Sequence, residues 1–361
     1  MLYPRLGSLH RLILSVLLSC LAACGPPART PPQSNGPSAE AALSSPSART
    51  VHLAYVSTAT TFAPLWAAQE YGLLEQYGLH SDDLYYINGG PALMQALVAG
   101  DIDAAYSAFS SAVSAIMGGA DLKVVAGFRR GFDHQLFTRE GTGVRAAEDM
   151  KGKRAGVSRI GSESQVVVQL WARAHGLNSG DITYVNAGGA AERIAALEAG
   201  SADLVPLDPP VVVQAEKRGY LRIADLTQEA IPWQQDGLTV RTTTLQSDPA
   251  LVKAIVQAVS EGAYLLRGDP ERFRVVVSKY TRIEDPDALA AANAAFLRAW
   301  NRHGRPEPAS VQGVQEVVSE SMPGTAEEPM SRFVELSVLD ALENEGVFDR
   351  LEQRYPPPPG R

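Results

Sequence analysis

Cysteine is nearly absent: the 361 residues hold two, Cys20 and Cys24, both within the first 24 positions. The rest of the chain therefore offers no disulfide, no thiolate metal site and no cysteine nucleophile. A basic excess is also missing. Lys and Arg number 32 against 40 Asp and Glu, a net charge of −8, so no positive surface is at hand to neutralise phosphates and nucleic acid is not an expected partner. No apolar run reaches the ~20 residues that a membrane span needs. Histidine is scarce, with six in all, and no two are spaced as metal ligands, so neither a metal nor a cofactor is expected. The patterns H-E-x-x-H, G-x-S-x-G and G-x-x-x-x-G-K-[ST] do not occur, which removes the commonest zinc, serine-hydrolase and phosphate-loop readings. Gly141-Thr142-Gly143-Val144-Arg145-Ala146 imitates a dinucleotide fingerprint, but no strand–helix frame surrounds it and it reads as a loop. What remains is a globular composition, 45% hydrophobic and 20% charged, in a chain long enough for two domains.

The N-terminus reads as an address. Arg5 and Arg11 precede an apolar run from Leu12 to Ala23, the shape of a secretory signal over residues 1–23. It ends Leu21-Ala22-Ala23-Cys24, which resembles the lipobox of bacterial lipoproteins and makes Cys24 the expected lipidation site. Acyl chains contribute ~0.8 kcal/mol per buried CH₂, so two or three hold a protein on a membrane. Residues 24–50 are rich in Pro, Ser, Gly and Ala and read as an unfolded tether. The Pro-rich end, residues 351–361, reads as a second frayed tail.

The chain repeats itself at about one hundred residues. Ala96-Leu97-Val98-Ala99-Gly100-Asp101-Ile102-Asp103 matches Ala196-Leu197-Glu198-Ala199-Gly200-Ser201-Ala202-Asp203. Upstream, Asn88-Gly89-Gly90 answers Asn186-Ala187-Gly188-Gly189, Leu65-Trp66-Ala67 answers Leu170-Trp171-Ala172, and Val56-Ser57 answers Val157-Ser158. Four matches in one order mark a duplicated unit. Each unit reads strand, helix, strand, helix, strand. In the first, Val51–Val56 is a strand, Pro64 opens a helix to about Tyr77, Leu84–Ile87 is a strand, a helix ends at Gly100, and Ala104 begins a strand. The second copies this from Lys153 to Pro206. Alternating strands and helices imply an α/β fold of two mainly parallel sheets flanked by helices. A strand returns at Gly237–Arg241, and helices follow, the first with Leu251, Ile255, Val259 and Ala263 on one stripe. The chain is thus expected to cross between lobes near Phe137-Thr138-Arg139 and again near Gly237. Lobe one is 51–138 plus 238–350, carrying the extra C-terminal helices, and lobe two is 139–237. Two crossings make a hinge.

Ligands of such sheets gather beyond the carboxyl ends of the strands. Those ends carry Ser57, Thr58 and Phe62, then Gly89-Gly90, then Ser107 in lobe one. Lobe two supplies Ser158, Arg159, Gly161 and Ser162, then Gly188-Gly189, then Asp208-Pro209-Pro210. Each loop precedes a helix, whose free N–H groups and partial positive charge suit an anionic or polar ligand. Each of these residues also has a structural reading. The Ser, Thr and Asp side chains also read as helix caps, and for Asp208, with Pro following, the cap is the stronger reading. Trp66 and Trp171 read as core. Phe62 and Phe109 suit cleft lining or burial equally. Arg129, Arg130 and His134 read as a solvated turn, with ligand contact as the lesser alternative.

The arrangement resembles the substrate-binding proteins of bacterial ABC importers, in the branch for nitrate, sulfonates, taurine and pyrimidine-type thiamin precursors. The carrying residues are Ala63-Pro64-Leu65-Trp66, Gly89-Gly90-Pro91, Ala99-Gly100-Asp101-Ile102-Asp103-Ala104-Ala105, Gly119-Ala120-Asp121-Leu122-Lys123-Val124-Val125, Asp149-Met150-Lys151-Gly152-Lys153-Arg154-Ala155-Gly156-Val157, Gly161-Ser162-Glu163-Ser164 and Asp208-Pro209-Pro210. The resemblance implies a two-lobed periplasmic-binding-protein-like fold and a ligand between the lobes at the loops of Ser57, Gly89-Gly90, Ser107, Ser158 to Ser162, Gly188-Gly189 and Asp208. It also implies a non-catalytic, lipid-anchored, extracytoplasmic monomer that delivers a small solute to an ABC permease. The Ser and Thr of the first loop, and Arg159, depart from the family pattern and leave the ligand open. Two alternatives stand beside it: a solute-sensing module for a membrane receptor, and an enzyme like the thiamin-pyrimidine synthases, which rely on a cysteine-rich motif that this chain lacks.

Overall fold

Each repeat opens on a short, mostly buried strand. In the computed structural model, which describes residues 48–229 and 231–358, Leu53–Tyr55 (β1) is buried throughout. Tyr85–Tyr86 (β2) and Ala104–Ala108 (β3) lie on either side of β1, both parallel to it. Between the strands run Ala63–Glu70 (α1) and Gly90–Ala99 (α2), and Phe109–Met117 (α3) leads to Leu122–Ala126 (β4). Gly100 ends α2 in the left-handed region at φ +87°, where a side chain would be strained. The helix expected from Pro64 to Tyr77 is two pieces, because Gly72 at φ +66° separates α1 from a turn of helix at Leu73–Gln76.

The second repeat copies the first. Gln135–Thr138 (β5) leads to Arg154–Val157 (β6), then Glu163–Ala174 (α4), Thr183–Asn186 (β7), Ala190–Glu198 (α5), Leu204–Leu207 (β8), Val211–Lys217 (α6) and Leu221–Asp225 (β9). Asp236–Arg241 (β10) then returns to the first sheet and the long helix Pro249–Gly268 (α7) follows. The sheet orders are β2-β1-β3-β10-β4 and β7-β6-β8-β5-β9. The two orders correspond strand for strand. In each, one strand runs against its neighbours, β10 in the first sheet and β5 in the second. Both reversed strands arrive from the other sheet, so the crossings themselves cause the mixed character.

The crossings lie upstream of where the sequence places them. Phe137 and Thr138 pair within the second sheet, with Val205 and Leu204 on one side. The chain therefore leaves the first sheet over residues 127–134 and returns over 226–235. A short reversed strand has the same composition as a forward one, and only its partners reveal its sheet. The two crossing segments run as an antiparallel ribbon. Gly131 N–H donates to Trp233 O at 2.8 Å and Gln235 N–H to Arg129 O at 3.2 Å, while Phe132 stacks on Trp233 at 4.7 Å.

Leu251, Ile255, Val259 and Ala263 of α7 are all buried as expected, each large aliphatic contributing ~1.5–3 kcal/mol. They pack on α1 and the first sheet. Gly262 lets α7 approach so closely that a Cβ there would stand 2.2 Å from the Pro64 carbonyl oxygen. Trp66 stacks on Tyr280 at 4.9 Å, and Trp171 is buried against His175; both are core. Two terminal boundaries move. Arg49–Thr50, expected in the tether, pairs with Leu79–His80. Leu351–Arg354, expected in the frayed tail, closes the helix Val347–Arg354 with Leu351 buried. The signal segment, Cys24 and the tether up to residue 47 lie outside the described residues. No described helix is long and apolar enough to cross a membrane.

Candidate functional site

The carboxyl ends of the parallel strands in the two sheets face one cavity. Its volume is about 50 Å³, more than one water needs and far short of a peptide. After β1 come Val56 to Ala59, Thr61 and Phe62; after β2, Asn88 and Gly90; at the end of β3 and just beyond it, Ala108 and Ser111. Across from them stand Ser158, Ser162, Glu163 and Ser164 after β6, Gly189, Ala190 and Arg193 after β7, and Asp208 after β8. His134 and Gln235 enter from the two crossings. The starts of α1, α2, α3, α4 and α5 all border this space, so their free N–H groups converge on it.

Three serines make one corner. Ser158 Oγ donates to Ser162 Oγ at 2.9 Å, and Ser162 and Ser164 hydroxyls lie 2.8 Å apart. Ser164 Oγ accepts from Ser158 N–H at 2.8 Å. On the facing wall Ser57 Oγ accepts from Ala59 N–H at 3.2 Å, and Phe62 meets Tyr106 edge-on at 5.1 Å.

The charged groups come from the second lobe and the crossings. Asp208 Oδ2 stands 3.5 Å from His134 Nε2 and 3.7 Å from Arg193. All three are at least nine-tenths buried. Burial pushes the Asp208 carboxyl up, opposed by His134 and Arg193, and lowers the Arg193 guanidinium. Burial, and after it the charge of Asp133, pushes the Glu163 carboxyl above its ordinary value. Behind them a buried chain runs into the two crossing segments. Arg129 donates to Asp133 at 2.9 Å and to Gln235 at 3.1 Å, and Asp133 accepts from Gln235 at 2.5 Å. The Arg129 N–H donates to Asp236 at 3.0 Å, and Asp236 accepts from Tyr106 at 2.5 Å. Burial raises Asp236 to about 6.

Several sequence-selected residues meet here and several do not. Ser57, Thr58, Phe62, Gly90, Ser158, Ser162, Gly189 and Asp208 line the cavity. Gly89, Arg159, Gly161 and Gly188 do not. They form its rim: a Cβ on Gly89 would meet Arg159 Nε at 2.7 Å, and one on Gly161 would meet Pro91 at 3.4 Å. Gly188 shapes the turn into α5 at φ +91°. Ser107 is a correction. Strand β3 runs two residues beyond Tyr106, so Ser107 is in the sheet opposite Gly237, donating to Ala108 O at 3.1 Å. Ser111, one turn into α3, takes its place. Phe109 is fully buried in the core, whereas Phe62 lines the cavity. Asp208 does not cap a helix: α6 starts at Val211 with Pro210 as its N-cap, following the cis peptide Pro209–Pro210. Of the turn residues, Arg129 is buried, Arg130 is exposed and paired with Glu307, and His134 reaches the cavity.

Sequence reasoning missed Glu163, Ser111 and Arg193. All three lie in the first turns of helices rather than in the loops, and helical side chains lean toward the N-terminus, so a residue one turn inside still reaches the end. A signal existed for Arg193. The repeat sets it opposite Leu93, so a charge stands where the first copy buries a leucine. No group of three or more His, Cys, Asp or Glu among the described residues is arranged to hold a metal.

A family model described as NMT1/THI5 like matches residues 59–273. Comparison with curated proteins gave no match. Among solved structures, the alkanesulfonate-binding protein SsuA from Xanthomonas axonopodis pv. citri is similar at TM-score 0.61 and 19% identity, over 75% of this chain and 90% of that one. The nitrate-binding protein NrtA from Synechocystis is similar at TM-score 0.61 and 15% identity, over 85% and 89%. A Candida albicans gene product, described as having the generic periplasmic binding protein fold, is similar at TM-score 0.63 and 16% identity, over 81% and 94%. At these identities the likeness shows the fold, which is that of the periplasmic binding proteins.

Proposed function

The chain belongs to the NMT1/THI5-like family, and from that premise we propose that it is an extracytoplasmic solute-binding protein that captures a small molecule between its lobes and delivers it to an ABC permease. One observation carries the reading: the starts of five helices, from both lobes, border one small cavity of mixed polar and apolar lining. Two buried atoms there have no protein partner, Ser111 Oγ and Arg193 Nε. Buried polar groups are normally satisfied, and a solute would satisfy these. The printed names of the alkanesulfonate- and nitrate-binding neighbours support the same class.

Binding rather than catalysis fits the groups present. His134 lies between Asp133 and Asp208 at 3.4 and 3.5 Å, an arrangement that holds its ring and activates no hydroxyl. The Leu21-Ala22-Ala23-Cys24 run extends the proposal to a lipid anchor at Cys24 on the outer side of the membrane, with the protein acting as a monomer. Cys24→Ala should release the protein from the membrane fraction or leave its signal uncleaved. Native mass spectrometry of freshly purified protein should show a co-purified small molecule, and scattering should show a smaller radius of gyration once it is restored. Gly89→Val and Ser162→Ala, at the rim and in the serine corner, should both reduce its thermal stabilisation, which for a saturating ligand at a hundred times its Kd is ~2.7 kcal/mol. Absence of any bound or bindable small molecule would refute the reading.

A further inference from the structure

The two walls of the cavity differ in kind. The first-lobe wall is uncharged, made of backbone and of Ser57, Thr58, Asn88 and Ser111. The opposite wall carries Glu163, Arg193 and Asp208. Resting on the solute-binding reading above, we infer that the solute carries a nitrogen donor, an ammonium or an N–H, seated on Glu163 and Asp208, and an acceptor group facing Arg193 and Ser111. It is not a bare anion.

The unmet hydrogen bonds are of both signs. Arg193 is 5% exposed and its Nε–H has no partner; Ser111 is 3% exposed and its hydroxyl has none. A guanidinium can only donate, so Arg193 asks for an acceptor. The carboxyls ask for the opposite. Glu163 receives one side-chain hydrogen bond among the described residues, from Trp233 Nε1 to Oε1 at 3.3 Å. Asp208 has His134 and Arg193 near Oδ2 only at 3.5 and 3.7 Å, at or beyond the limit of a hydrogen bond. An ionised carboxyl offers about four lone-pair sites and a protonated one keeps part of them, so in either form acceptor capacity is unused.

A bare anion would satisfy Arg193 and Ser111. It would also set its charge beside Asp208 and leave the spare acceptor sites of both carboxyl groups without donors, and polar groups enclosed unpaired are costly. Arg193 cannot offset this freely, because its charge already faces Asp208. A solute with a nitrogen donor at one end and an acceptor at the other satisfies both sets at once. An amino acid analogue and an amino-substituted ring share this chemistry.

The test is calorimetry on the full chain at neutral pH with matched pairs: 2-aminoethanesulfonate and ethanesulfonate, β-alanine and propionate, aminopyrimidine and pyrimidine, with nitrate added. The amino member of at least one pair should bind tenfold or more tightly than its partner. Glu163→Gln and Asp208→Asn should each erode that ratio severalfold, and should either variant fail to fold, the other decides. Equal binding within each binding pair, tighter binding of nitrate or the desamino members, or a ratio untouched by the folded variants would overturn this inference and leave the solute-binding reading intact. A panel silent throughout, with no co-purified molecule in the mass spectrum, would overturn that reading and this one with it.

Discussion

Gly90 opens α2 at the cavity wall, and an alanine there would place its methyl 1.9 Å from Ser111 Oγ and 2.5 Å from Ser111 Cβ. Carbon atoms meet comfortably at about 3.5 Å, so α2 or α3 must retreat by about 1 Å. Turning the serine hydroxyl away relieves only the first contact. Two effects oppose each other. Gly90 is not among the positive-φ glycines, so alanine would otherwise stabilise by ~0.4–1 kcal/mol through the unfolded chain. Overpacking costs ~1–3 kcal/mol and wins, leaving Gly90→Ala less stable by about 1–2 kcal/mol. Ser111→Gly removes both crowded atoms at its own cost of ~0.5–1 kcal/mol for a helical glycine. Urea denaturation of the wild type, both single variants and the double variant gives the coupling directly. The double variant should exceed the sum of the singles by about 1–2 kcal/mol. A Gly90→Ala protein as stable as the wild type, or strictly additive effects, would refute the reasoning.

Asp236 gives a pH test. Its carboxyl is fully buried and raised to about 6, so the folded chain holds that proton more tightly than the unfolded one. The resulting stabilisation is complete below about pH 4 and is lost as pH rises through 6, a change of roughly 3 kcal/mol. Asp236→Asn should therefore gain on the wild type in urea denaturation between pH 4 and 6 and hold that difference above; a difference indifferent to pH would contradict it. Gly262→Ala drives a methyl to 2.2 Å from the Pro64 carbonyl, which no side-chain rotation can relieve, and should cost ~2–3 kcal/mol or more. As a control, Gly180→Ala meets open space and should stay within about 0.5 kcal/mol in the same denaturation series. Arg193→Met removes the cation facing Asp208 and should weaken solute binding at least tenfold by calorimetry while the fold, read by circular dichroism, survives.

The duplicated pattern was enough to determine the α/β class, the two sheets and most helix starts. Local chemistry explains why. A buried strand, a proline at a helix start and a glycine at its end, as at Gly89 to Gly100, act within a few residues and are written there. The loops that border the cavity were legible for the same reason, since strand ends in a parallel sheet all point one way. Tertiary structure alone decided the rest. Thr138 belongs to the second sheet because of its partners Leu204 and Leu221, and no property of its own segment distinguishes the two sheets. Ser107 and Ser111 exchange roles because β3 extends two residues further than expected. Asp208 turns from a cap into a cavity wall because His134 and Arg193, 74 residues upstream and 15 residues upstream in sequence, are brought beside it. Charge meeting across such distances depends on how the sheets are joined, and that is fixed by packing rather than by any one stretch of the chain.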